Sequence, residues 1–128
     1  MATWDELSRV ASALPEVEER ITDHREWRFR DKLVAWERPL RRSDREALGD
    51  QAPEDPIVAV WLPDLAAKEA LLEAGGAAYF TTPHFDGYRA VLIRLELIPI
   101  DELEELVIEA WIDRAPKRLV REWESAGS

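Results

Sequence analysis

The chain has 128 residues, a formal net charge of −10 and no cysteine, which is the usual size of one domain. The missing thiols exclude disulfide frameworks, thiolate nucleophiles and cysteine-ligated zinc or iron–sulfur centres. The acidic balance opposes phosphate backbones at long range, whereas 46% apolar residues with six tryptophans are enough for a packed core.

Thr3-Trp4-Asp5-Glu6 reads as a capping box that opens a helix. Trp4, Leu7, Ala11 and Leu14 then recur at helical spacing, and Pro15 closes the element. No basic segment followed by an apolar run precedes this helix, and no stretch of ~18 apolar residues occurs anywhere, so the expected setting is the cytoplasm, with no membrane partner. From 16 to 40 the period changes to two: Trp27 and Phe29 alternate with Arg28 and Arg30, Asp31-Lys32 makes a short turn, and Leu33-Val34-Ala35-Trp36 follows. This predicts a meander of two or three antiparallel strands.

Residues 39–56 hold Pro39, Gly49, Pro53 and Pro56 around an arginine-rich stretch and are expected to be a mobile loop. The continuous apolar run at 57–62 is short enough for a strand buried on both faces. Pro63-Asp64 starts a second helix that Gly75-Gly76 stops. An aromatic loop at 77–87 leads into a strand at 88–95. A third helix is capped by Asp101, with Leu103, Leu106, Val107, Ala110 and Trp111 on its apolar side and acids on the other. A fourth begins with Pro116 at its first position. Strands clustered between helices predict an α+β domain, an antiparallel sheet with helices packed on one face.

The order of these elements and several local words resemble the MmcQ/YjbR-like family. The words are Leu14-Pro15-Glu16-Val17-Glu18-Glu19, the hairpin through Phe29 and Lys32-Leu33-Val34-Ala35, and Val58-Ala59-Val60-Trp61 leading to Leu71-Leu72-Glu73-Ala74. Tyr79-Phe80-Thr81-Thr82-Pro83-His84-Phe85-Asp86-Gly87-Tyr88, Ile100-Asp101-Glu102-Leu103 and Ala110-Trp111 complete the set, so the likeness covers nearly the whole chain as a single domain. The resemblance implies a fold like that of the bacterial frataxin homologue CyaY and carries the family's DNA-binding label, which rests on fold analogy.

Two surfaces offer candidate sites for a non-enzymatic binding domain. In the aromatic loop, Tyr79, His84, Asp86 and Arg89 form a polar and stacking set for a small ligand or a protein partner. The structural alternative is that Tyr79, Phe80 and Phe85 anchor the loop in the core while Pro83 and Gly87 shape its turns. For nucleic acid the candidates are Lys32 at the hairpin tip, Arg41 and Arg42, and Lys117 and Arg118. The last four belong to two basic islands. Residues 38–48 net +2 from Arg38, Arg41, Arg42 and Arg45 against Asp44 and Glu46, and residues 114–128 net +2 from Arg114, Lys117, Arg118 and Arg121 against Glu122 and Glu124. A nucleic-acid surface requires the islands to lie side by side. No serine sits in a nucleophile elbow, Gly75-Gly76 opens no phosphate loop, and His24 and His84 lack a third ligand at diagnostic spacing. No catalytic residue, metal or cofactor is expected.

Overall fold

The computed structural model describes residues 2–127. Thr3 caps the first helix, α1 (Trp4–Ser12), through the expected reciprocal box with Glu6. A three-stranded meander follows as β1 (Val17–Ile21), β2 (Arg25–Phe29) and β3 (Lys32–Glu37). After a short helix α2 (Arg42–Leu48) come β4 (Ile57–Trp61), α3 (Leu65–Ala74), the two-residue β5 (Tyr79–Phe80) and β6 (Ala90–Arg94). Helices α4 (Ile100–Arg114) and α5 (Lys117–Ala126) end the chain. The six strands form one antiparallel sheet in the order β1-β2-β3-β4-β6-β5, so the expected α+β class holds.

Helices α1 and α4 lie on one face of the sheet, where the main core forms. Trp27 and Trp111 are fully buried there, and each indole N–H is satisfied: Trp27 donates to Glu19 at 3.0 Å and Trp111 to the Pro15 carbonyl at 3.0 Å. Trp4 stacks on Trp27, and Trp123 of α5 packs edge-on against Trp111. Strand β4 is buried on both faces from Ile57 to Val60, as its unbroken apolar run requires. The second face therefore needs a cover of its own. A smaller cluster fills it, built on Trp36, Ile57, Ala59, Ala90 and Leu92, and Phe85 from the aromatic loop closes it.

The segment 39–56 is not the loop its prolines and glycine suggested. Pro39, Pro53 and Pro56 bound α2 instead of interrupting it, and Gly49 ends it with φ +59. The decisive group is Asp44, buried, whose carboxylate accepts the Arg41 backbone N–H at 2.9 Å and so closes the first turn. Three boundaries also move. The β2–β3 turn is Arg30-Asp31, with Arg30 at φ 55, and Lys32 opens β3. Pro99, not Asp101, occupies the N-cap of α4, leaving Asp101 in the first turn where its charge favours the helix dipole. Pro116 is the N-cap of α5, one position before the helix proper.

Candidate functional site

The cover of the second face creates a cavity. Residues 82–88 fold as consecutive tight turns: Phe85 N–H donates to the Thr82 carbonyl at 2.9 Å, Asp86 N–H to Pro83 at 3.1 Å and Tyr88 N–H to Phe85 at 3.0 Å. Gly87, at φ +74, supplies the left-handed residue this path needs. Lys68 reaches over from α3 and clamps the turns, its ammonium donating to the Phe85 carbonyl at 2.5 Å and to the Tyr88 carbonyl at 3.0 Å. Burial pushes the Lys68 ammonium below the usual lysine range, and the Asp86 carboxylate partly opposes that. The clamp holds Phe85 in the second-face cluster and leaves His84 and Tyr88 exposed beside it, with ring centroids 5.2 and 6.0 Å from Phe85.

The opposing wall comes from the stretch after β3. Arg38 is buried and lies over the Phe85 ring, 5.2 Å from its centroid. Its guanidinium donates to Asp44 at 3.1 Å and to the Pro39 carbonyl. Burial pushes the Asp44 carboxyl up, but the Arg41 backbone N–H and the Arg38 guanidinium outweigh it and hold the group below the usual carboxylate range. Between these walls lies an open cavity of about 540 Å³ with Leu33, Trp36 and Phe85 as its apolar lining. Its rim carries both histidines of the chain, His24 from the β1–β2 turn and His84 from the aromatic loop. Asp23, Glu26, Glu37, Arg38 and Arg41 supply the charges. Such a volume falls within the range of small-molecule sites, roughly 300–1,000 Å³.

The loop residues singled out from the sequence are divided by the fold. His84 lines the cavity, and Asp86 stands exposed at the turn beside Lys68. Tyr79 lies with the main core, on the opposite face from Phe85. Burial pushes its phenol well above the usual range, and the Glu102 carboxylate adds to the effect. Arg89 closes the far end of the sheet. Its guanidinium donates to the Leu62 and Pro63 carbonyls and to Asp113 at 3.0 Å, and sits 4.7 Å from the Trp61 ring. Arg114 takes a place 3.6 Å from the same ring, and Asp113 also accepts the Trp61 indole N–H at 2.8 Å.

The basic candidates separate as well. Lys32 shares a hollow with Arg114 and Pro116, and Arg118 of the neighbouring helix start shares another with Arg30 while pairing with Glu122 at 3.3 Å. Lys117 begins that same helix. Arg41 is on the cavity rim, and Arg42 pairs with Glu46 at 3.2 Å along α2. In sequence the six residues of β3 lead from Lys32 towards the Arg41–Arg42 island.

Lys68 was not legible as part of a site, being an ordinary lysine within a helical pattern, whereas Arg38 and Asp44 read as members of a basic island whose charges pair locally. The only local sign was the unusual density of aromatic residues, Pro83 and Gly87 around His84.

An antiparallel sheet backed by helices on one face, with a looped cover and a polar-rimmed cavity on the other, defines an α+β scaffold. Residues 12–112 match the YjbR family, and the chain belongs to it. It is 51% identical over 124 residues to the uncharacterised protein Rv2570 of Mycobacterium tuberculosis, covering 94% of this chain and 95% of that one. The same figures describe its likeness to the uncharacterised protein Mb2600 of Mycobacterium bovis.

Proposed function

We propose that this YjbR-family chain is a non-enzymatic binding domain that takes a small dipolar molecule with a planar body in the second-face cavity. The carrying observation is the convergence of an apolar lining, two imidazoles and charges of both signs on one cavity of about 540 Å³. Two of the rim charges are already paired: Glu26 with Arg28 at 3.0 Å and Arg38 with Asp44 at 3.1 Å. Glu37 accepts the Arg25 backbone N–H at 3.1 Å, while the side chains of Asp23 and Arg41 have no hydrogen-bond or ion-pair partner among the described residues. Donors on a ligand then face Asp23 and Glu37, and an acceptor group faces Arg41. Its ring lies against His84, Tyr88 and the Trp36–Phe85 lining.

The DNA reading draws on the family label and the basic islands. The net charge of −10 favours the small molecule. Calorimetric titration with tryptophan, phenylalanine, adenosine and adenosine monophosphate tests the proposal. Saturable binding of at least one probe is expected, with Arg41→Ala weakening it roughly tenfold or more, the value of one charge-assisted hydrogen bond. No binding of any probe, alongside salt-sensitive binding of duplex DNA, would reverse the assignment.

A further inference from the structure

We propose that two copies of this chain pair through strand β1, antiparallel and centred on Glu19. Strand β1 and the two-residue β5 are the outer strands of the sheet, so β1 is the long free edge. Such an edge presents unpaired backbone donors and acceptors and invites another strand, apart from the Val17 N–H at its start, which donates to the Leu14 carbonyl at 3.2 Å. The sequence of β1, Val17-Glu18-Glu19-Arg20-Ile21, is complementary to itself in one register. An antiparallel copy centred on Glu19 sets Glu18 opposite Arg20 twice and Val17 opposite Ile21 twice, which are favourable cross-strand pairs.

The two faces of the strand agree with this register. Val17 and Glu19 point to the helix side, because they pair with Phe29 and Trp27 of the buried core. Ile21 belongs to the same face and is 69% exposed, the highest value among the large exposed apolar side chains. Opposite Val17 of a second copy, which packs against its own core, Ile21 gains an apolar neighbour. Glu18 and Arg20 point to the other face, where their ionic pairing across copies replaces the weaker contact they make within one strand at 3.3 Å. Glu19 meets its counterpart at the centre, the one like-charge position. Its carboxylate is turned back onto its own subunit, where Trp27 donates to it at 3.0 Å and Ser8 also hydrogen-bonds it. A five-residue edge is a small interface, so the pairing is concentration-dependent.

Sedimentation velocity of the full chain over a concentration series reads the result. The wild type should shift from monomer to dimer, and Glu18→Arg or Arg20→Glu alone should raise the dissociation constant by tenfold or more. The double exchange Glu18→Arg with Arg20→Glu should restore it, since the complementary register returns with the signs reversed. Circular dichroism melting of each variant separates a lost fold from a lost contact, because Arg20 also holds Asp31 at 3.3 Å within its own chain. A wild type that stays monomeric at its highest soluble concentration overturns the proposal. So does a dimer indifferent to the single reversals, or one not recovered by the exchange.

Discussion

Single side chains carry the second face. Arg38 and Asp44 are both buried, with 7% and 2% of their side chains exposed, so each depends on the other to offset its desolvation. Asp44→Ala is expected to destabilise the fold by about 3–5 kcal/mol, because a buried guanidinium is left without its carboxylate. Urea unfolding measures this directly. The pH dependence has a definite sign. The Asp44 carboxyl ionises below its unfolded value, so its contribution is complete above the ordinary aspartate range and disappears as pH falls through the folded value. Asp55, held down by its hydrogen bonds from Arg94 at 2.8 and 3.1 Å, acts in the same direction. Acid unfolding followed by circular dichroism should therefore be shallower in Asp44→Asn than in the wild type. Gly75 is a second sensitive position. A Cβ there would come 2.3 Å from the Tyr79 ring and 2.4 Å from the Leu71 carbonyl oxygen, so Gly75→Ala must shift both the core tyrosine and the end of α3 and should cost about 1–3 kcal/mol. The sequence presented Gly75 only as a helix stop, because the approach of Tyr79 is created by the turn that follows.

At the scale of elements, the sequence was most readable where pattern and punctuation agreed. The capping box of α1, the apolar run of β4 and the apolar stripe of α4 are local signals, and each produced the element its residues indicate. Helix α2 was misread because its stability is not local. Its seven residues have no apolar stripe, and what fixes them is Asp44, which accepts the Arg41 backbone N–H in the first turn and also the guanidinium of Arg38, six positions earlier and outside the helix. Propensity and proline counting see only the segment itself. The same logic ranks the caps. Asp64 accepts the Ala67 backbone N–H at 2.7 Å at the start of α3, and Asp64→Ala should lower stability by about 1 kcal/mol. Thermal unfolding of Asp64→Ala beside Asp64→Asn checks this, since asparagine keeps the accepting oxygen and should lose much less. Helix α3 also brings Lys68 to the aromatic loop, so loss of the cap should loosen the cavity wall as well.

For the whole molecule, the functional readings differ in which surface they use. The aromatic loop was visible in the sequence, but its partition was not: alternate residues of β5 point to opposite faces, and Tyr79 and Phe80 separate on that account. His24 and His84, sixty positions apart, meet on one rim only because the β1–β2 turn and the 82–88 turns flank the same face. The basic islands illustrate the reverse case, similar in sequence yet lining different hollows, Arg38 and Arg41 one and Arg114 another. Heteronuclear NMR of the uniformly nitrogen-labelled chain distinguishes these surfaces in one experiment, through the backbone amides and the six tryptophan indole N–H signals. On addition of a binding small-molecule probe, the Trp36 indole and the His84 and Arg41 amides should move together, while the Trp27 and Trp111 indoles, hydrogen-bonded in the opposite core, stay in place. Small-molecule probes that leave Trp36 unmoved, with duplex DNA instead shifting the amides of Lys32, Lys117 and Arg118, would contradict the cavity as the working site.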